Sequence, residues 1–231
     1  MFQIRPAGSD PNDVATLLAI FDSTIPALAA AGNGAQWGSQ PFSEKPGFLE
    51  ETTQDVEKSE TFRLTGQGER VRTFIAQRED DGDGDGDAGS DGLYRHTDEQ
   101  GKAQIPAGAI TIRDSRFGGH LYAQEALKPH IDAAERLPGG FVFIECLISD
   151  FRLPPEKRRG AGAALVEAAR AYAAERKMQC VFVDCWTGGE DKLVPYYTKL
   201  GFKTVETFTM DKKDGSIWPG TFMRMDLAED K

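Results

Sequence analysis

The sequence predicts an α/β chain of the α+β kind, with a mixed central sheet of about six to seven strands flanked by helices. Three observations predict it. Two runs, 141–148 and 180–185, are apolar almost throughout, as strands buried on both faces are. Between and around them the apolar spacing turns helical, most clearly over 161–176, where Leu165, Val166, Ala169, Tyr172 and Ala173 share a face with Glu167, Arg170 and Glu175 interleaved. Finally, the strand-like runs 71–77 and 107–112 read as a decorated hairpin, and 204–210 and 222–227 as two closing strands around a loop that carries Trp218.

Composition narrows the class. At 231 residues the chain has room for one α/β domain, read here as a single domain over 1–231. With 39% hydrophobic and 28% charged residues it reads as soluble and globular. No uninterrupted apolar run approaches the roughly 18 residues of a membrane span, and Met1 to Arg5 lacks the regions of a signal peptide. Cys146, Cys180 and Cys185 lie in apolar strands without a C-x-x-C, which reads as reduced core thiols of a cytoplasmic protein. A cysteine nucleophile would want a histidine nearby in the sequence, and none stands there.

The net charge of −10 is concentrated in one place. Seven acids lie between Glu79 and Asp91 with no base among them, and removing those seven leaves −3. The Asp-Gly repeat there marks a low-complexity insertion in the hairpin, at about 78–104. A calcium loop starting at Asp81 would need Glu at its twelfth position, which is Gly92. His120 and His130 lack further ligands at metal-site spacing, so no metal is expected. The negative sign of the charge argues against nucleic acid as a partner.

Taken in order, Phe2-Gln3-Ile4-Arg5-Pro6 alternates as a first strand. Asp10 and Pro11 read as the N-cap and first residue of a helix whose face is Val14, Leu17, Leu18, Phe21, Ile25 and Leu28, kinked or restarted at Pro26. A second helix is expected over 46–59. After the hairpin, a short helix is expected over 122–134, ended by Gly139-Gly140 before the strand 141–148. A helix over about 191–200 follows the strand 180–185, with Asp191 as N-cap, Leu193, Tyr196, Tyr197 and Leu200 inward, and Gly201 beyond its end.

The chemistry centres on Lys157-Arg158-Arg159-Gly160-Ala161-Gly162-Ala163, which stands at the mouth of the helix over 161–176. A helix opening presents about four unpaired N–H groups and roughly half a positive charge. Glycines let an anion reach that backbone, so the segment reads either as a phosphate or diphosphate seat or as a solvated basic turn before an ordinary helix. A Walker loop, G-x-x-x-x-G-K-[ST], is absent. A dinucleotide fingerprint needs a tight turn out of the strand, whereas twelve positions separate Ile148 from Gly160.

Lys157-x-x-Gly160-x-Gly162 resembles motif A of the GCN5-related N-acetyltransferases, [QR]-x-x-G-x-[GA], with Lys in place of Gln or Arg. Phe143-Ile144-Glu145-Cys146-Leu147 is similar to that family's fourth strand, and Tyr197-x-x-Leu200-Gly201-Phe202 to its Y-x-x-L-G-F. The predicted element order also matches the family. The resemblance implies a sheet whose fourth and fifth strands splay apart. It further implies acetyl-CoA as cosubstrate, with its pyrophosphate on Lys157, Arg158, Arg159, Gly160, Ala161, Gly162 and Ala163, and its pantetheine arm on the backbone of Leu147, Ile148 and Ser149. Residues 150–155 lengthen the path from strand to motif A beyond the commoner form, and Glu190 stands where many members have Asn.

An amine attacking a thioester must arrive neutral, so a carboxylate at the strand end, Glu145, is a candidate for taking its proton; it could equally sit exposed in a salt bridge. The resemblance implies that Tyr197 protonates the departing thiolate, while its spacing with Leu193 and Leu200 also suits core packing. The expected activity is acetyl transfer to a primary amine of a small molecule in a ternary complex, by a monomer or homodimer. Acetylation of a protein or peptide, and a non-catalytic CoA-binding sensor, are the alternatives.

Overall fold

The computed structural model describes residues 1–80, 92–212 and 215–227. The chain runs β1 (Gln3–Pro6), α1 (Asp13–Ala30), α2 (Phe48–Thr65), β2 (Val71–Glu79), β3 (His96–Thr97), β4 (Ala103–Asp114), α3 (Gly119–Tyr122), α4 (Lys128–Glu135), β5 (Phe141–Ser149), α5 (Pro155–Arg158), α6 (Ala161–Glu175), β6 (Cys180–Trp186), α7 (Leu193–Lys199), β7 (Lys203–Asp211) and β8 (Ile217–Asp226). Among the described residues eight strands form one sheet, in the order β1-β2-β4-β5-β6-β8-β7, with β3 pairing β4 off that path. β5 and β6 are parallel, whereas β1 with β2, β6 with β8 and β7 with β8 are antiparallel. The mixed α+β sheet is therefore the one the sequence predicts, with β3 the strand beyond the expected count. The Asp-Gly run and the calcium-loop positions 81–91 lie outside the described residues.

Several element boundaries differ from expectation, each for a local reason. α1 starts at Asp13 rather than at Pro11, because the Asp13 carboxylate is taken by the Arg5 guanidinium at 2.6 and 2.9 Å and by the N–H groups of Gly8 and Asp10. Asp10 turns away from the helix instead: it accepts from Asn12 N–H and meets His96 Nδ1 at 2.8 Å. α1 passes through Pro26 unbroken. By length and composition it could cross a membrane, yet Leu17, Ile20 and Ile25 are buried in the fold.

The single helix expected over 122–134 is realised as α3, a 3₁₀ turn at Glu125–Leu127, and α4. Pro129 stands in the first turn of α4, where a missing N–H costs nothing, and so marks a new start rather than a continuation. α2 runs on to Thr65 and stops where Gly66, at φ 68°, returns its N–H to Phe62 C=O. α7 begins at Leu193 because Asp191 is left-handed (φ 44°), which leaves Lys192 in the capping position.

The chain makes two compact units, Met1–Ala27, Ser39–Thr111 and Cys146–Leu165 in the first, and Leu28–Gly38, Ile112–Glu145 and Val166–Lys231 in the second. In the first, Phe21, Phe42 and Phe48 form a ring cluster with centroids 4.8–4.9 Å apart. In the second, Phe117, Phe141, Phe143, Phe182 and Phe222 make an aromatic core that Leu121, Leu127 and Ile131 cover. Phe182 stacks on Phe222 at 5.1 Å and meets Phe117 and Phe141 edge-on, geometries that ring quadrupoles favour.

Candidate active site

In the first unit, the site is built at the start of α6. Its first helical hydrogen bond recorded from the opening runs from Ala164 N–H to Gly160 C=O. The N–H groups of Ala161, Gly162 and Ala163 therefore precede the ladder, as the first N–H groups of a helix do. Gly160 takes φ 92°, a conformation side chains rarely adopt, and this turn is what separates α5 from α6. The apolar face that drives α6 into place is the expected one: Leu165, Val166, Ala169, Tyr172 and Ala173 are all buried.

The three basic residues are not equivalent. Lys157 Nζ lies 3.3 Å from Asp80 Oδ1, and Asp80 also pairs with Arg95 at 2.9 Å. Arg158 donates to Leu153 C=O and lies over the Phe151 ring at 4.3 Å. Arg159, at the C-terminal cap of α5, is exposed; its N–H donates to Pro155 C=O at 2.8 Å, and its guanidinium has no hydrogen bond or ion pair among the described residues. The charge left for an incoming anion is thus carried most directly by Arg159, with the glycine-lined backbone beside it.

The strand end before this loop also has two different edges. A Cβ on Gly108 would lie 2.5 Å from Ile148 O, and Asp150 N–H donates to Ala107 C=O at 3.0 Å. Ile148 and Asp150 therefore face β4. Backbone groups alternate edges along a strand, so those of Leu147 and Ser149 face the other way. The parallel pairing of β5 with β6 is recorded through Phe141–Cys180, Val142–Val181, Phe143–Phe182 and Ile144–Val183, ahead of these residues. Leu147 and Ser149 are the two positions whose backbone suits pairing with an extended ligand.

In the second unit, Glu145, Asp184 and His120 lie near one another. Glu145 accepts from Arg113 Nε at 2.7 Å, the salt bridge that the sequence leaves open as its alternative. Beside it, Asp184 Oδ2 lies 3.2 Å from His120 Nε2. Burial pulls the His120 imidazole down, but the hydrogen bond and charge of Asp184, with the charge of Glu145, outweigh it, and the pKa stands above its ordinary value.

Sequence reading passed over the His120–Asp184 pair. A signal was present: Phe141, Phe143, Glu145 and Cys180, Phe182, Asp184 carry the same spacing, and the parallel pairing that ends at Ile144–Val183 leaves the two acids one position beyond it on each strand.

Tyr197 is buried at 6% exposure and packs edge-on against Phe202 at 5.5 Å, while Phe202 N–H returns to Tyr197 C=O. Tyr196 beside it is half-buried, and burial raises its phenol pKa. Burial pushes the Cys180 thiol up to about 11 and the Cys185 thiol up to about 12, the opposite of what a nucleophile requires. Glu190 is exposed and pairs with Lys192. Among the described residues no three His, Cys, Asp or Glu side chains converge as a metal site would need.

No protein-family model and no curated protein sequence matches the chain. Solved structures do match its fold. An acetyltransferase of the GNAT family from Streptococcus pneumoniae superposes with a TM-score of 0.53 at 15% identity, covering 98% of this chain and 100% of the other. An aminoglycoside 6'-N-acetyltransferase complexed with coenzyme A gives 0.52 at 11% identity, covering 99% of each chain. A ribosomal-protein-alanine N-acetyltransferase from Brucella melitensis gives 0.52 at 16% identity, covering 97% and 99%. The fold of this chain is that of the GNAT-family acetyltransferases.

Proposed function

We propose that this chain, with its GNAT-type fold, transfers an acetyl group from acetyl-CoA to a primary amine of a small molecule, by direct attack in a ternary complex. The observation that carries this reading is the opening of α6. Unladdered N–H groups at Ala161, Gly162 and Ala163 follow a left-handed Gly160, beside an exposed Arg159 whose guanidinium has no ion pair among the described residues. Such an opening suits paired phosphates, since it supplies fixed donors and the positive end of the helix dipole. Lys157 and Arg158 add charge at the same seat.

The other parts of the reaction have residues suited to them. Backbone groups of Leu147 and Ser149 would pair with the amide-rich pantetheine arm, with Ile148 fixing the strand between them. The same N–H groups are the kind of donor a tetrahedral oxyanion needs. The ammonium of the acceptor is drawn by the carboxylates of Glu145 and Asp184 and gives up a proton in that cluster. Tyr197 protonates the departing thiolate. Holding both substrates together supplies much of the remaining acceleration.

The test is to incubate the chain with acetyl-CoA and a panel of small amines, amino acids and peptides, following thiol release and product mass. Mass gain of one acetyl group on a small amine, with matching thiol, is the expected result. Acetylation confined to peptides would move the acceptor to the protein class. CoA binding without transfer to any amine would leave only a binding module.

A further inference from the structure

The aromatic core of the second unit ends in charge on two adjacent strands. On β5 the inward row reads Phe141, Phe143, Glu145, and on β6 it reads Cys180, Phe182, Asp184. Recorded pairing of the two strands stops at Ile144–Val183, so both acids are the first residues of their rows beyond the last pair. Glu145 finds Arg113, whose guanidinium nitrogen occupies Oε2 at 2.7 Å. Asp184 finds the imidazole of His120 at 3.2 Å.

The two acids are therefore placed for different work. Asp184 is 10% exposed while His120 is 39% exposed, so the carboxylate is shielded and the imidazole is accessible. When Asp184 Oδ2 accepts a hydrogen bond from Nε2–H, Nδ1 is left as the basic atom. The ring is seated over Gly118, where a Cβ would come within 2.7 Å of Cε1 and 2.8 Å of Nδ1, so a larger residue there would displace it. The charged groups near the ring are Asp184 from β6, Glu145 from β5 and, through Glu145, Arg113 from β4.

We infer that His120, oriented by Asp184, is the group that accepts the proton of the acceptor amine, an assignment that rests on the acetyl-transfer reading above. The ammonium gives one proton to His120, which later passes it to water. The freed nitrogen lone pair then bonds to the thioester carbonyl carbon. As the carbon–sulfur bond breaks, the sulfur keeps the electron pair and ends as a thiol, taking the second proton that the nitrogen loses. Asp184 is a positioning residue, and Glu145, tied to Arg113, contributes negative charge. Its influence and that of Asp184 favour the imidazolium, so turnover should rise as pH increases through a midpoint above the ordinary histidine range.

The experiment reads three things in the full chain: CoA affinity by calorimetry, kcat against pH at saturating amine, and the imidazole NMR titration of the CoA-bound protein. The three histidines are assigned by their individual Gln variants. In the parent, the acid limb of kcat should coincide with the His120 titration. His120→Gln should bind CoA as the parent does, lose the acid limb and fall in kcat by about 10²–10⁴-fold. Asp184→Asn should move limb and titration to lower pH together, which loss of packing would not do. A parent limb that departs from the His120 titration overturns the assignment, even if a variant fails to fold. So does a His120→Gln chain with parental kcat and limb. A parent that binds CoA but acetylates no amine overturns the transfer reading itself, and this assignment falls with it.

Discussion

Arg159 and Tyr197 show how far one residue's surroundings decide its use. Among the described residues Arg159 is the cation of the α6 opening whose side chain has no ion pair, whereas Lys157 is shared with Asp80 and Arg158 with Leu153 C=O and the Phe151 ring. Reversing its charge should therefore act on phosphates and little else. Arg159→Glu is expected to weaken CoA binding tenfold or more, by roughly 1.4 kcal/mol or above, while binding of a phosphate-free pantetheine analogue stays near parental. Calorimetry with both ligands checks it, and parental CoA affinity would place the phosphates elsewhere. Tyr197 is different, because its ring is buried against Phe202 and the proposed proton transfer would fall to its hydroxyl. Tyr197→Phe keeps the packing, so CoA affinity should hold while kcat falls about 10²–10⁴-fold. Unchanged turnover would confine Tyr197 to the core.

At the scale of elements, the junction of β1 with α1 and the aromatic layer of the second unit are the places where a single change costs most. Asp13 is 1% exposed and gathers Arg5 and two backbone N–H groups at the head of α1. Asp13→Ala would leave the Arg5 guanidinium, itself 12% exposed, without its carboxylate, and should cost about 3–5 kcal/mol of stability. Its effect should appear in denaturant midpoints without loss of CoA affinity per folded molecule. Phe182 sits among Phe117, Phe141 and Phe222 with 2% exposure. Phe182→Ala removes the centre of that layer and should cost about 3–5 kcal/mol, read as a lower urea midpoint with an unchanged slope. A cost below about 1 kcal/mol would mean that the neighbouring rings close the cavity.

For the whole molecule, the proposed cosubstrate should act as a stabiliser, since a ligand that binds only the folded chain adds stability by mass action. At CoA concentrations a hundred times its Kd the gain is about 2.7 kcal/mol. For a chain of this size that corresponds to a rise in melting temperature of about 5–10 °C. The rise should persist in Tyr197→Phe and shrink at the same CoA concentration in Arg159→Glu, a contrast that separates binding from chemistry by calorimetric melting. A flat response in the parent would argue against any CoA seat.

What the sequence determined by itself was local. Period-two and period-3.6 spacing located the strands and helices, because burial of one face acts on neighbouring residues. The glycine spacing before α6 likewise announced a helix opening. Element starts such as those of α1 and α7 were less legible, since Asp13 is captured by Arg5 and Asp191 turns left-handed. The tertiary structure alone decided which basic residue keeps its charge exposed, and that Glu145 meets Arg113. It also brought His120 to Asp184, sixty-four positions away. Those pairings depend on strand register and on which segments fold against each other, and no spacing within one segment encodes them.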